Sequence, residues 1–423
     1  MAQLSDDCFA FGGPMMSVDE AVGMIAARVT PVPDIETVAL AQADGRVLAN
    51  DILAPLPLPP FTNSAVDGYA VRSGDLPQGE LPNGERSAFP VTGRLQAGAS
   101  ATEAIKPGQA MRIFTGAPMP QGADTVFMQE DVRIDGDGKV VLPAGLRPGA
   151  NVRPAGEDIA AGFAALPAGR RLRPQDVALA AAFGMTHLAV TRRIRVAVFS
   201  TGNELVSPGG RRGAAQLFDS NRFMLMAMLG RLGCEVSDLG ILGDDRASLG
   251  EALRQNAAAH DLMLTTGGVS TGEEDHVKAA VERVGTLVLW RMAIKPGRPV
   301  AMGIIGGTPF IGLPGNPVAS FVTFVHVVRP TVLALSGAVQ QPLVPMPVRA
   351  GFSYKKKIAR REYVRVSLRR DANGALEAIK FPREGAGLLS SLVDTDGLVE
   401  LGEEVTQVEP GQAVGFLGYA SLI

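Results

Sequence analysis

The sequence of 423 residues contains few cysteines and aromatic residues, with two cysteines, one tryptophan and four tyrosines. Cys8 and Cys234 are too few for a disulfide framework or for a zinc site built from thiolates. None of the four histidines has metal-ligand spacing with another, which argues against a histidine zinc site. The scarcity of cysteine is typical of a reducing compartment, and we expect a cytoplasmic protein.

An excess of charge of one sign is also missing, because 40 basic and 43 acidic residues leave a net charge of −3. We therefore expect neither a nucleic acid nor an acidic membrane surface as a partner. The longest apolar stretches are interrupted before about 18 residues, the length that indicates a membrane span. Residues 1–16 lack the basic start of a secretion signal, so we expect none. The composition favours a small-molecule partner.

Glycine and proline are abundant, with 50 and 30 residues spread along the chain without a three-residue period. This excludes collagen and favours a fold with many tight turns. The length predicts about two to four domains. Ser17 and Glu20 form a capping-box pattern that predicts the start of a helix.

The segment that follows predicts a small β module, because short β-like runs alternate with glycine and proline turns between Leu53 and Pro148. We expect this module, residues 53–147, to be inserted between two parts of another domain. Its clearest predicted strands are Ala110–Thr115, Thr125–Gln129 and Lys139–Leu142. A helix is predicted over Gln175–Phe183, ended by Gly184.

From residue 194, predicted strands alternate with predicted helices over about 150 residues, which predicts a doubly wound parallel sheet covered on both faces. The predicted strands are Arg195–Phe199, Cys234–Leu242, Asp261–Thr265, Leu287–Ile294, Val300–Ile305 and Pro309–Leu313. The predicted helices are Asn221–Leu232, Ala247–Ala259, Asp275–Val284 and Pro317–Leu335. Beyond Pro345 the strand-like runs Tyr363–Leu368, Ala375–Ile379 and Leu398–Leu401 predict a small barrel or sandwich.

Polar residues gather where the predicted strands end, which is where open parallel sheets bind ligands. They are Glu204, Asp244, Thr266 to Ser270, and Gly312 to Asn316. The run from Thr265 to Gly272 offers glycines and hydroxyls that suit a phosphate, although a plain tight turn is the alternative. Asn316 and Pro317 predict a helix start with a capping side chain, which is either a second anion site or an ordinary cap.

Two charged sets accompany these loops. Glu204, Asp244 and Asp275 are candidate ligands for a hard cation such as Mg²⁺, and the alternative is that each is a cap or a solvated charge. Lys295 and Arg298 lie on one turn with Pro296 and Gly297, which is either a clamp for an anionic substrate or a solvated hairpin.

The run from Pro59 to Ala70 has no interpretation from periodicity, but it resembles the signature of the MoeA family of molybdopterin molybdenumtransferases, whose eukaryotic counterpart is the gephyrin E domain. Six further motifs of that family follow in order and extend the resemblance to nearly the whole chain. They are Arg112–Ala117, Asn151–Asp158, Ser200–Leu205, Gly267–Ser270, Ile294–Gly297 and Gly312–Pro317.

The resemblance implies a four-part subunit. The parts would be an elongated linking domain (1–52 and 148–185), an inserted β domain (53–147), a MogA/MoaB-like doubly wound α/β domain (186–340) and a C-terminal β-barrel-like domain (341–423). It also implies an elongated homodimer, with the site between the α/β domain of one chain and the inserted domain of the other.

The implied reaction takes adenylated molybdopterin and molybdate, inserts molybdenum at the dithiolene and releases AMP in a Mg²⁺-dependent step. The implied catalytic residues are Asp67, Thr115, Asp158, Glu204, Asp244, Asp275 and Lys295, and the metal ligands are Glu204, Asp244 and Asp275. The expected substrate-binding residues are Arg153, Thr201, Gly202, Gly267, Gly268, Ser270, Arg291, Arg298, Pro314, Gly315, Asn316, Pro317, Arg360, Ser390 and Ser391. A MogA-type adenylyltransferase and molybdoenzyme apoproteins are further implied partners.

The sequence departs from the family pattern at four positions. Arg291 and Arg298 stand where lysine is common, Asn203 where aspartate is frequent, and Ala359 where glycine is usual. Arginine prefers bidentate contacts, so the anion preference could shift. Two other functions stay open: the α/β domain alone resembles molybdopterin adenylyltransferases, and a non-catalytic scaffold like gephyrin is the third candidate.

Overall fold

The computed structural model describes residues 15–76, 87–100, 104–243, 246–268, 276–371 and 373–423. The chain divides into two compact units. One comprises the N-terminal residues to Ala49, Gly169–Arg173 and His187–Ile423, and the other comprises Asn50–Ala168 and Pro174–Thr186. The finer division into four parts stays a prediction.

The first helix, α1 (Val18–Arg28), begins at the predicted capping box. The backbone N–H of Glu20 donates to Ser17 Oγ at 3.1 Å, and that of Ser17 donates to Glu20 Oε2 at 2.8 Å, so two otherwise unpaired N–H groups are satisfied. Val18, Ala21 and Ile25 lie on one face and are buried. Strand β1 (Ile35–Ala39) follows.

The unit from Asn50 contains a six-stranded sheet and two short strand pairs. Its strands are β2 (Ile52–Leu53), β3 (Asn63–Ser64), β4 (Gly68–Val71), β5 (Ser87–Leu95), β6 (Ala110–Ile113), β7 (Thr125–Met128), β8 (Arg133–Ile134), β9 (Lys139–Leu142), β10 (Val152–Arg153) and β11 (Ala164–Leu166). The sheet order is β7-β4-β6-β5-β9-β8, and β2 pairs with β11 and β3 with β10. Helix α2 (Pro174–Ala182) ends before Gly184, whose φ is +76°. The predicted β module is confirmed.

The other unit contains the α/β domain, whose elements follow the predicted alternation. They are β12 (His187–Thr191), which pairs with β1, then β13 (Arg195–Thr201), β14 (Leu205–Val206), β15 (Leu217–Phe218), α3 (Asn221–Arg231), β16 (Glu235–Leu242), α4 (Arg246–Ala257), β17 (Leu262–Thr266), α5 (His276–Val284), β18 (Gly285–Arg291), β19 (Ile294–Lys295), β20 (Pro299–Ile305), β21 (Thr308–Leu313), α6 (Pro317–Thr323) and α7 (Arg329–Leu335). The strand order β16-β13-β17-β21-β20-β18 confirms a doubly wound domain.

The expectation of an all-parallel sheet is wrong at one strand. Strand β20 runs antiparallel to both of its neighbours, β21 and β18, whereas β16, β13, β17 and β21 pair in parallel. Only Gly306 and Gly307 separate β20 from β21, with φ of +57° and +95°. A two-residue turn joins antiparallel strands only, and positive φ at both positions is what such a turn requires.

The predicted helix over Pro317–Leu335 is one continuous run of 19 residues, but a π-helical segment, Phe324–Val328, separates α6 from α7. Among the described residues it is the one helix long and apolar enough to cross a membrane, and 94% of that apolar window is buried inside the protein. A helix at the centre of a packed domain has this same composition.

The C-terminal strands form a closed barrel, which decides between the barrel and sandwich alternatives. The elements are β22 (Met346–Ala350), β23 (Tyr354–Lys355), β24 (Arg361–Arg370), β25 (Leu376–Lys380), α8 (Ser390–Val393), β26 (Gly397–Leu401), β27 (Gln407–Val408), β28 (Ala413–Gly418) and α9 (Tyr419–Leu422). The ring runs β24-β25-β22-β28-β26 and returns to β24. Strand β19 of the α/β domain adds to β24 in parallel, outside the ring.

His326 lies in the π-helical segment with its side chain inside the core. Its ring stacks on Tyr363 at 4.5 Å between centroids, and its Nε2 has no hydrogen-bond partner in the part of the chain that the structure describes. Loss of hydration on burial, with the nearby charges of Arg361 and Arg329, lowers the pKa of His326 to about 3. The imidazole is therefore neutral in the folded protein.

This buried imidazole predicts a loss of stability in acid. An unfolded histidine takes up a proton near pH 6.5 and the folded one only near pH 3, so the free energy of unfolding falls as the pH drops through this window. His326→Leu should remove this part of the dependence, so between pH 7.5 and pH 5 wild type should lose about 2 kcal/mol more than the variant. Urea unfolding at both pH values measures the difference, and equal losses would contradict the prediction.

Candidate functional site

The carboxyl ends of β13 and β17 lie close together because the residues that follow β17 are glycines, which have no side chain. Gly267 and Gly268 follow β17 with φ of +87° and +66°. A Cβ on Gly268 would lie 2.7 Å from Thr201 Oγ1, and one on Gly267 would lie 3.1 Å from Thr201 O. Thr201, Gly202, Gly267 and Gly268 therefore converge, and glycine is needed at both positions after β17.

The end of β21 joins the same edge. The backbone N–H of Gly267 donates to Leu313 O at 3.0 Å, and a Cβ on Gly315 would lie 3.8 Å from Gly267 Cα. Pro314 and Gly315 thus lie beside the glycines of β17. This brings together three of the loops that we expected to meet.

A buried polar network holds this edge in place, and the sequence did not predict it. Asn221 Nδ2 donates to Thr266 Oγ1 at 3.0 Å and to Gly315 O at 2.7 Å, and Thr266 Oγ1 donates to Pro314 O at 3.3 Å. Ser320 Oγ also donates to Pro314 O. Loss of hydrogen bonds from this network would lower the stability of the protein, because a buried polar atom would be left unpaired. The feature of the sequence that could have indicated this network is Asn221, a polar residue at the start of α3.

The predicted capping role of the Asn316 side chain is wrong. Asn316 is the N-cap of α6 and Pro317 is its first residue, as predicted, but the Asn316 side chain makes no capping bond. The N–H of Val318 instead donates to Ala386 O at 3.0 Å. A carbonyl from the barrel domain therefore accepts a hydrogen bond at the start of α6, which we had predicted for the asparagine side chain.

The candidate metal ligands are only partly described. Glu204 is exposed, and its Oε2 would lie 2.4 Å from a Cβ on Gly202, so its carboxylate lies over that glycine. The carboxylate forms no hydrogen bond or ion pair with another described residue, although the backbone O of Glu204 accepts from the N–H of Leu217 at 2.7 Å. Asp244, Asp275 and Ser270 lie outside the described residues, and the remaining residues contain no group of three potential metal ligands. The metal site stays a prediction.

A cavity of about 360 Å³ lies beside the end of β21, within the same unit. Pro314, Asn316 and Lys295 line it, as the sequence led us to expect of a ligand site. Its other charged lining residues come from the barrel: Arg365, Lys380, Arg383 and Glu384. Four basic residues against one acidic residue suit an anionic ligand.

Lys295 forms its contacts across the junction of the two domains. Its Nζ lies 3.1 Å from Tyr354 Oη and 3.3 Å from Glu362 Oε2. Partial burial opposes the charged form, but the Tyr354 hydroxyl and the Glu362 charge outweigh it and raise the pKa of Lys295. Lys295 is therefore a cation at neutral pH, and its strand β19 pairs with β24.

The remaining predicted residues of this unit differ in exposure. Arg291 and Arg298 are exposed, and their side chains form no ion pair or hydrogen bond with another described residue, whereas Arg360 Nε donates to Glu362 Oε1 at 2.6 Å. Ser390 is exposed at the start of α8. Ser391 is fully buried, and its Oγ accepts from Arg365 Nη1 at 3.0 Å, so it orients a cavity residue from α8.

In the other unit, Asp67 and Thr115 form one local cluster. Asp67 Oδ1 accepts hydrogen bonds from the Thr115 N–H and from Thr115 Oγ1, both at 2.8 Å. These bonds, the backbone one first, lower the pKa of Asp67, so the carboxylate is charged at neutral pH. A Cβ on Gly68 would lie 1.9 Å from Phe127 O, which explains why glycine follows Asp67.

The family motif around Asp67 packs against a second motif in this unit. The N–H of Ala65 donates to Asn151 O at 2.9 Å, and the N–H of Ala155 donates to Thr62 Oγ1 at 3.1 Å. Arg153 and Asp158 are both exposed. The predicted residues Asp67, Arg153 and Asp158 therefore come from two segments that contact each other.

Three family models match the chain in succession. The MoeA N-terminal region (domain I and II) matches residues 16–184, a probable molybdopterin binding domain matches residues 197–334, and the MoeA C-terminal region (domain IV) matches residues 347–418. Together they span nearly the whole sequence.

Similar proteins cover the full length as well. A molybdopterin molybdenumtransferase of Haemophilus influenzae is 36% identical over 95% of this chain and 98% of its own. Molybdopterin molybdenumtransferase 2 of Mycobacterium tuberculosis is 36% identical over 94% of this chain and 98% of its own. The crystal structure of a molybdopterin biosynthesis moeA protein from Pyrococcus horikoshii has a TM-score of 0.79 and 29% identity, over 96% of this chain and 100% of its own.

The Asp67 cluster predicts a pKa effect. Thr115→Val removes the hydroxyl bond and keeps the backbone bond, so the pKa of Asp67 should rise toward its ordinary value. A titration of the carboxyl carbon by NMR measures it. Thr125→Val is the matched control, since Thr125 bonds Asp124 and not Asp67. An unchanged Asp67 pKa would contradict the assigned bonds.

Ala359, which stands where the family usually has glycine, predicts a stabilising substitution. Its φ of +64° is in the left-handed region, and Asn151 is the other described non-glycine residue with positive φ. Ala359→Gly should raise the free energy of unfolding by ~0.5–1 kcal/mol, because strain relief exceeds the entropy cost of glycine. Ala375→Gly, at ordinary φ, should lower it. Chemical denaturation measures both, and destabilisation by Ala359→Gly would contradict the argument.

Proposed function

The chain belongs to the MoeA family and acts in molybdenum cofactor biosynthesis as a molybdopterin molybdenumtransferase, with molybdopterin and molybdate as substrates, and we propose that the molybdopterin it takes is adenylated. In this proposal the two dithiolene thiols form Mo–S bonds as one oxygen of molybdate leaves as water with their two protons. A water molecule attacks the anhydride between the pterin phosphate and the adenylate, so that AMP leaves and the phosphate stays on the pterin. The family and the function predicted from the sequence are confirmed, and the adenylated substrate, the metal ion and the residue roles are what we propose.

One observation carries the proposal: a glycine-lined sheet edge lies beside a basic cavity, and Pro314 and Asn316 connect the two. Adenylated molybdopterin carries a phosphate anhydride, which requires close approach to backbone N–H groups and to cations. Gly267 and Gly268 permit that approach, and the cavity supplies basic side chains. The arrangement therefore supports binding of the anhydride at the edge.

Lys295 is proposed to bind molybdate, a tetrahedral dianion. The residue is charged, lines the cavity and has a side chain that is 44% exposed. Arg360 lies on the other side of the shared carboxylate Glu362. The positive charge of the cavity, with its four basic lining residues, supports an oxyanion more than it supports a neutral ligand.

Glu204, Asp244 and Asp275 are proposed to hold Mg²⁺. Their carboxylate oxygens are the hard ligands that this ion prefers, and Glu204 has no competing partner among the described residues. When bound, the ion would neutralise the phosphate charge that develops as AMP leaves. Glu204 itself would hold its carboxylate at the edge, over Gly202.

Residues of the other unit are proposed to complete the site from a second subunit of a homodimer. Thr115 donates two hydrogen bonds to Oδ1 of the charged Asp67, so the Asp67 carboxylate keeps a fixed orientation. Arg153 and Asp158 are exposed and available to a ligand. A MogA-type adenylyltransferase as the source of the substrate, and molybdoenzyme apoproteins as recipients of the cofactor, complete the proposal.

The test is AMP release from the purified protein with adenylated molybdopterin and Mg²⁺, with and without molybdate. We expect release that requires molybdate and stops when the metal is chelated. Adenylation of molybdopterin from ATP, with no AMP release, would assign the protein to the adenylyltransferase class instead. The absence of both reactions, with substrate binding retained, would favour the scaffold alternative.

A further inference from the structure

A buried carboxylate of the barrel lies directly behind Lys295. Glu362 is opposite Lys295 in the parallel register between β24 and β19. Its side chain is 1% exposed. Charged carboxylates are rarely buried to this extent unless they are paired and hydrogen-bonded, so the groups around Glu362 matter for its position.

Both oxygens of Glu362 have cationic partners. Oε1 accepts from Arg360 Nε at 2.6 Å. Oε2 accepts from Tyr354 Oη at 2.8 Å and lies 3.3 Å from Lys295 Nζ. Tyr354 Oη in turn accepts from Lys295 Nζ at 3.1 Å. Glu362 therefore fixes two cations. It contacts Arg360 directly, and it contacts Lys295 both directly and through the Tyr354 hydroxyl.

The Lys295 side chain is anchored on one side and open on the other. It is 44% exposed and lines the basic cavity, whereas the carboxylate behind it is not accessible. A free lysine side chain loses rotamer entropy on ligand binding. Fixing Nζ before the ligand arrives lowers that cost.

We propose that Glu362 is a positioning residue for the oxyanion, which holds Lys295 at the cavity wall so that molybdate meets a cation whose position is already fixed. The inference rests on the proposed function, in which Lys295 binds molybdate. Lys295 belongs to the α/β domain and Glu362 to the barrel, so the oxyanion site depends on the contact between the two.

An argument from charge alone predicts the opposite change in molybdate binding, so one experiment can distinguish the two explanations. Removing the negative charge of Glu362 raises the positive charge of the cavity wall, and attraction of a dianion would then increase. Loss of positioning would weaken binding instead. The direction of the change in the molybdate KM therefore separates the two explanations.

Glu362→Gln is the central variant, because glutamine has a similar size and one acceptor oxygen in place of two. We expect the molybdate KM for AMP release to rise ~10-fold or more, with kcat changed much less, since misplacement of a binding group costs affinity first. The alkaline limb of the pH profile should move to lower pH, because Lys295 loses the charge that raises its pKa.

Tyr354→Phe removes one of the two links to Lys295 and should change the molybdate KM in the same direction by a smaller factor. It also carries the test if Glu362→Gln does not fold. Glu400→Gln is the matched control: Glu400 accepts from Tyr363 Oη at 3.0 Å in the same barrel and does not contact Lys295. Its molybdate KM should equal that of wild type.

A molybdate KM that is unchanged or lower in Glu362→Gln and in Tyr354→Phe would overturn the inference. Lys295→Gln distinguishes this from failure of the proposed function. If Lys295→Gln leaves the molybdate KM unchanged, Lys295 does not bind the oxyanion and the proposed function is wrong at that point. If Lys295→Gln raises the KM and Glu362→Gln does not, only the positioning role is wrong.

Discussion

The close approach of three strand ends is the constraint on which the candidate site depends. Strands β13, β17 and β21 run in parallel, so their carboxyl ends meet at one edge of the sheet. At that edge Gly267 and Gly268 pass so near Thr201 that a side chain at either position would press on its neighbours. The edge is therefore formed by backbone, and backbone N–H groups are what a phosphate binds. The buried bonds of Asn221 and Thr266 keep the loops in this arrangement.

The barrel also helps to position the candidate site, because it contacts the α/β domain in addition to following it in the chain. Strand β19 leaves the domain to pair with β24, and Ala386 O caps the helix that starts after β21. Both contacts lie beside the basic cavity, which takes its lining from the two domains together. A protein with the α/β domain alone would have the glycine edge but would lack Arg365, Lys380 and Arg383.

Local signals in the sequence predicted the elements well and the strand directions less well. The capping box of Ser17 and the alternation of strands and helices involve neighbours in sequence, so periodicity and turn chemistry reveal them. The reversal of β20 was also local, since Gly306 and Gly307 are the signature of a two-residue hairpin, but the alternation pattern concealed it. The residues of the candidate site also divide into those with a local signal in the sequence and those without one. Glycine and proline turns pointed to Thr201, Gly267 and Pro314, whereas Glu362 and Arg365 lie on ordinary strands whose roles depend on contacts far along the chain.

The distribution of charge around the edge fits the two ionic species of the proposed reaction. Molybdate is a dianion and the metal ion a dication, and each is bound best by groups that repel the other. Glu204 lies over Gly202 at the end of β13, and it is not among the residues that line the basic cavity. The cations lie on the β19 turn and on the barrel, and the buried Glu362 compensates them from behind, where it cannot meet the ligand. A carboxylate on the open side of Lys295 would compete with molybdate, and a lysine beside Glu204 would compete with the metal ion. Glu204 and the cations of the cavity come from different segments of the chain, and among the described residues Glu384 is the one carboxylate that lines the cavity.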